Sequence, residues 1–208
     1  MRVGLIAATH GTNGIPIPTA EPWSVPIIDP AHIEQVAAKA ERRAADIVMV
    51  ALHWGLEYDH VPIQDQLDVA DTLPKGPDID LVYGTTRVVQ PYDRVNGTWV
   101  VYGLGNAVAQ QDADVEGLYD GNTCRVTFTE KPDGSFAVSG LEYLPTMVTH
   151  FDSVHPMRWL DVPKALHDPA FASLRPALQA TQARVSADVH VPGAFQRGVV
   201  EARSPKVR

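Results

Sequence analysis

The 208 residues predict a mixed α/β (α+β) fold, on three observations. Short apolar runs of strand type alternate with amphipathic helical stretches, the pattern of a sheet covered by crossover helices. Each early run ends in a polar loop that contains glycine. After Arg87 the alternation gives way to strand pairs separated by Asn96-Gly97 and Asp133-Gly134, which are hairpin signals.

Taken in order, Val3 to Ala8 reads as a buried strand that opens into the Gly-, Pro- and Asn-rich loop Thr9–Pro18. Asp29 is placed as an N-cap, with Pro30 at the first helical position. Ile33, Val36, Ala37, Ala40 and Ala44 then recur at helical spacing, opposite Glu34, Lys39, Glu41, Arg42 and Arg43. Val48 to Ala51 is a second strand buried on both faces, ending at His53. A helix over Gln64–Leu73 is closed by Pro74, and a third buried strand covers Ile79–Tyr83. Strand-like segments follow at Val88–Tyr92, Thr98–Tyr102, Thr123–Thr129 and Phe136–Tyr143. These place an α/β unit over residues 1–150. Residues 151–208 read as a helical, Pro-rich tail with one helix over Pro169–Val185 and partial disorder from Ser186 onward.

Composition narrows the function. A net charge of −8 supplies no basic stripe for phosphates and excludes nucleic acid as a partner. Cys124 is the single cysteine, so neither an intramolecular disulfide nor a thiolate metal cluster can form, and its alternating apolar setting marks it as a core residue. No apolar run approaches the roughly 20 residues that span a bilayer, and Met1–Ala8 is too short for a signal peptide. No membrane insertion by this chain is expected.

The chemistry concentrates at strand ends. In α/β sheets ligands sit at the carboxyl ends of the strands, and His53 occupies such a position. It reads either as a ligand or as a core histidine bonded to a neighbouring loop. P-loop, dinucleotide-binding and Gly-x-Ser-x-Gly signatures are absent.

Five segments in order carry a resemblance: Gly11-Thr-Asn-Gly14, Leu52-His-Trp-Gly-Leu-Glu-Tyr58, Asp80-Leu-Val-Tyr-Gly84, Val88-Val-Gln-Pro91 and Val101-Tyr-Gly-Leu-Gly-Asn106. Over about residues 2–148 the chain resembles the CapA family of capsule and poly-γ-glutamate synthesis proteins. The resemblance implies a calcineurin-like metallophosphatase fold, a β-sandwich flanked by helices, here its carboxy-terminal portion. It also implies a divalent metal (Mn, Fe or Zn) in intact relatives, with His53 as a ligand. The family's Gly-His-x-x-His-Val-x-Gln-Pro stretch corresponds here to Gly84-Thr-Thr-Arg-Val-Val-Gln-Pro91, which holds no histidine, and Arg87 brings a permanent charge that repels a cation. The family's amino-terminal Gly-Asp, Asn-Leu-Glu and Asn-Asn-His segments have no counterpart. A single imidazole cannot hold a catalytic metal, so no metal is expected to be stably bound.

The other candidate site residues have a binding and a plain structural reading each. Asn13 points into a cleft or serves a left-handed turn. Glu57 orients His53, binds substrate or is solvated. Arg87 grips a carboxylate or phosphate, or makes a surface salt bridge. Asn106 resembles the family's Gly-Asn segment and lines the pocket. His60 is expected at the surface, and Gln90-Pro91 to serve packing. His150, His155, His167 and His190 receive no role.

Two functions follow. One is a catalytically impaired CapA-like protein that binds or helps export an anionic polymer with the capsule synthesis machinery at the extracytoplasmic face of the cell envelope. The other is an active metal-dependent hydrolase of phosphoesters or amides. Self-association through uncovered sheet edges is the further partner expectation.

Overall fold

A computed structural model describes residues 1–76, 78–111, 115–150 and 156–189. Strand β1 (Val3–Thr9) leads through a long loop to helix α1 (Pro30–Arg42). Asp29 caps that helix by accepting from the His32 amide at 3.2 Å, with Pro30 at the first position, as the sequence predicts. Strand β2 (Ile47–His53), helix α2 (Gln64–Thr72), a 3₁₀ turn at Leu73–Lys75 and strand β3 (Leu81–Thr85) follow. The hairpin of β4 (Val89–Val95) and β5 (Thr98–Leu104) turns at Asn96 and Gly97, both at positive φ (49° and 94°). The second half comprises β6 (Asp120–Glu130), β7 (Phe136–Val148), β8 (Trp159–Asp161), the single turn α3 (Val162–Ala165), a 3₁₀ stretch at Pro169–Leu174 and α4 (Arg175–Asp188).

The first sheet has the order β1-β2-β3-β5-β4; β1, β2, β3 and β5 are parallel and β4 is antiparallel to β5. The second sheet, β6-β7-β8, is antiparallel. One face of the first sheet buries Val48, Val50, Leu52, Val82 and Val100 against Ile33 and Ala37 of α1 and Ala70 of α2. Its other face packs Leu81, Val89, Tyr92, Trp99 and Val101 against Leu141 and Tyr143 of the second sheet and Val185 of α4. The result is two layers of sheet with helices outside, a mixed α/β fold as the sequence predicts.

Three expectations need correction. The strand at Val3–Ala8 is not buried: β1 is an edge strand whose face turned away from α1 is open, leaving Val3 49% and Leu5 60% exposed. The second sheet covers β3, β5 and β4 but stops short of β1, so the apolar run that looked like core is partly solvated. The third strand begins at Leu81, two residues later than expected, because Asp80 Oδ2 accepts the Val48 amide at 2.8 Å before the ladder starts. The helix expected to end at Val185, with disorder from Ser186, runs on to Asp188. β8 extends the second sheet, and α4 is helical through Asp188, with Leu178 and Val185 buried. The expectation of disorder beyond Ser186 otherwise falls on 190–208, outside the described residues.

Candidate functional site

The three parallel strands β1, β2 and β3 end in step. Thr9 pairs with His53 and His53 with Thr85, so His10, Trp54 and Thr86 leave the sheet side by side. The Leu52-His-Trp-Gly stretch folds as it does because successive residues alternate faces. Leu52 is buried, His53 is exposed, and Trp54 turns back under the sheet. The Trp54 indole Nε1 donates to the Tyr102 carbonyl at 2.8 Å and stacks on the Tyr102 ring. Gly84 makes that possible: a Cβ there would lie 2.1 Å from both Trp54 Nε1 and the Tyr102 oxygen. Gly55, at φ +83°, then reverses the chain against the Gln66 side chain.

At these strand ends lies a cleft of about 510 Å³ whose lining includes His10, Asn13, His53, Glu57, Arg87 and Asn106. All five residues singled out in the sequence therefore line one cavity. His53 Nδ1 lies 3.2 Å from Thr85 Oγ1. The His10 ring sits 5.7 Å from the His53 ring, and its Nδ1 is 3.2 Å from the His53 carbonyl oxygen. Asn13 is exposed at φ 51°, in the left-handed turn its residue type suggested. Arg87 bridges the two walls: its Nε is 2.9 Å from Glu57 Oε1, its Nη1 donates to Gln111 Oε1 at 2.6 Å, and its Cζ stands 5.9 Å from the Tyr58 ring centre. Asn106 is buried and its amide is used within the chain. Its Nδ2 donates to the carbonyls of Ala109 (2.8 Å) and Leu118 (2.9 Å), and its Oδ1 accepts the Ala109 amide at 2.8 Å.

Two side chains beneath the cleft fix the Glu57 loop. Gln90 is fully buried and donates from Nε2 to the Asp59 carbonyl at 2.8 Å, while its Oε1 accepts from Gln66 Nε2 at 2.8 Å. The packing role expected of Gln90 is thus a hydrogen-bonding one. His60 is not a free surface residue: Nδ1 lies 2.8 Å from Asp188 Oδ2 in α4. That bond raises the His60 pKa above its ordinary value, outweighing the opposing effect of burial. Burial likewise pushes the Cys124 thiol up to about 11, leaving it a neutral thiol. Sequence reasoning missed His10, although its place after β1 mirrors that of His53 after β2. It also missed Gln111, whose loop carries no comparable signal. His150, given no role, stacks 3.9 Å from the Tyr119 ring; His155 and His190 lie outside the described residues.

The donors present do not fit a catalytic metal. His10 and His53 supply two imidazoles, and Glu57 is committed to Arg87. Among the described residues no group of three or more His, Cys, Asp or Glu side chains is placed to hold an ion. A catalytic divalent site uses about three protein ligands, more than the two imidazoles brought together at these strand ends.

The fold and cleft define an α/β protein with a polar site at the carboxyl ends of parallel strands, bounded by an imidazole pair and an arginine. The profile of the family "Bacterial capsule synthesis protein PGA_cap" matches residues 1–111, just over half the chain, and the chain belongs to that family. It is similar to the PGA biosynthesis protein CapA of Bacillus subtilis (strain 168), 35% identical over 106 residues. That stretch is 50% of this chain and 25% of the relative, so the chain spans well under two thirds of its length. Among solved structures it is similar to the Thermus thermophilus sulfate thiohydrolase SoxB in complex with glycerol: TM-score 0.43, 18% identity, 91% of this chain and 28% of that one. A Staphylococcus aureus protein assigned as a 5′-nucleotidase, in complex with alpha-ketoglutarate, gives 0.37 and 19%, over 72% and 26%. No helix among the described residues is long and apolar enough to cross a membrane.

Proposed function

We propose that this chain binds an anionic capsule polymer of the poly-γ-glutamate class in the cleft, at the cell envelope, without hydrolysing it as it stands. The observation that carries this is the Arg87–Glu57 pair. Arg87 already grips a glutamate carboxylate at 2.9 Å, and a γ-linked glutamate polymer presents a free carboxylate at every residue. The pair is 37% and 50% exposed, so exchanging one carboxylate for another gives up only about 0–1 kcal/mol of a surface ion pair. Gln111 and Tyr58 keep the guanidinium in place during the exchange. The chain's net charge of −8 gives no overall attraction for a polyanion, so the reading rests on the local charge of Arg87.

Calorimetric titration with poly-γ-glutamate tests the reading. Arg87→Gln should abolish binding. Glu57→Gln, which removes the internal competitor, should tighten it several-fold. Binding by Arg87→Gln at wild-type strength, or weakening of both variants alike, would overturn the reading.

The second reading, a metal-dependent hydrolase, is favoured by the His10–His53 pair, whose rings are close enough to share an ion. Metal analysis of the purified protein separates the two. Stoichiometric Mn, Fe or Zn that is lost on His53→Ala would replace the non-catalytic reading.

A further inference from the structure

Helix α4 carries Thr181, Arg184 and Asp188 at the i, i+3, i+7 spacing of one helix face, and all three reach residues behind the cleft walls. Asp188 meets His60, in the loop that carries Glu57. Arg184 donates from Nε to Asp120 Oδ2 at 2.6 Å and from Nη1 to Glu116 Oε1 at 3.0 Å, and Thr181 donates to Asp120 Oδ1 at 2.6 Å. The Asp120 carbonyl in turn accepts the Asn106 amide at 2.9 Å, which fixes the opposite wall bearing Asn106 and Gln111. Arg87 spans from Glu57 on one wall to Gln111 on the other. Both walls are therefore tied to one helix, and that helix lies outside the family-matched residues 1–111.

We propose that α4 sets the separation of the cleft walls, and that the His60–Asp188 contact is a latch whose closure depends on the charge of the imidazole. That the cleft takes a ligand rests on the reading above; the latch itself does not. The groups around His60 are Asp188 from α4, the Asp120 carboxylate from β6 with its partner Arg184, Glu116 beyond that arginine, and the Val89 carbonyl of β4. On the remaining side the ring lies against Gly117, where a Cβ would be 3.1 Å from Cε1. The carboxylates nearest the ring favour the imidazolium. Because its folded pKa is raised, the stabilisation is fully present below the ordinary value of 6.5 and is lost as pH rises through the raised one.

Amide hydrogen exchange at pH 6 and pH 8, corrected for intrinsic rates, tests the latch. The amides to follow are Val61 and Ile63, in the loop that continues from Glu57 past His60, and Ala109 and Gln111 on the opposite wall, each hydrogen-bonded in the structure. In the wild type their protection should be about tenfold greater at pH 6. His60→Gln should remove that pH difference while exchange in β2 and β5 is unchanged. Asp188→Asn should also remove it and return the His60 ring to an ordinary titration by NMR. Wild-type pH dependence in His60→Gln, no pH dependence in the wild type, or an Asp188→Asn protein that melts lower with unchanged wall protection would each overturn the proposal. Poly-γ-glutamate should bind the wild type more tightly at pH 6 and His60→Gln equally at both pH values. Absence of polymer binding in every variant counts against the polymer reading alone, and the exchange data then decide the latch.

Discussion

Arg87 Nε stands 2.9 Å from Glu57 Oε1 across the mouth of the cleft, so the guanidinium of the Gly84–Pro91 loop is held by a carboxylate from the Leu-His-Trp-Gly-Leu-Glu stretch. The pair joins two residues that sequence reasoning could only consider one at a time. It also commits the Glu57 carboxylate to a guanidinium, which repels a cation brought near it.

The Trp54 anchor should be intolerant of any side chain at Gly84. Gly84→Ala drives a methyl group into the indole nitrogen and the Tyr102 carbonyl, both backed by core. A loss of about 3 kcal/mol or more is expected, through overpacking plus a broken buried hydrogen bond. Urea denaturation followed by tryptophan fluorescence measures it.

Gln90 should matter more than its place in a packed strand suggests. In Gln90→Leu the Asp59 carbonyl and the Gln66 amide lose their partner inside the protein. The expected cost is about 2–3 kcal/mol, with increased exchange of the amides from Tyr58 to Ile63. A variant as stable as the wild type would mean that water replaces the glutamine without penalty.

Asp80 offers a stabilising substitution with a defined pH signature. Burial raises its pKa above 3.8, against the opposing hydrogen bond from the Val48 amide. A raised carboxylate pKa means that stability is fully present below pH 3.8 and is lost as pH rises through the folded value. Asp80→Asn keeps an acceptor for Val48 and removes the buried charge. It should therefore be more stable than the wild type at pH 7, with the advantage shrinking toward pH 4 in parallel thermal melts.

The open face of β1 should make the protein prone to self-association. Val3 and Leu5 are exposed on an uncharged edge strand that, among the described residues, has no outer neighbour along most of its length. Leu5→Lys should shift a concentration-dependent sedimentation profile toward monomer without lowering the melting temperature. A wild-type protein that is monomeric at every concentration would contradict this.

Much of the framework was legible because its signals are local. The Asp29-Pro30 cap, the helical spacing from Ile33, the Asn96-Gly97 turn and the glycine after Trp54 each act within a few residues, and each element formed where they point, except that α1 ends at Arg42 and Ala44, read as part of its apolar face, lies beyond it at φ 63°. The end of the second strand was likewise legible, and β2 ends at His53. What the sequence alone could not determine depends on partners far apart in the chain. Whether Val3 and Leu5 are core or surface is decided by how far the second sheet reaches, and whether Glu57 is solvated or paired is decided by a residue on another strand. His60 reads as a surface residue until α4 returns from 128 positions away to meet it. Burial and ion pairing are properties of surfaces brought together by packing, and neither periodicity nor motif records which surfaces those are.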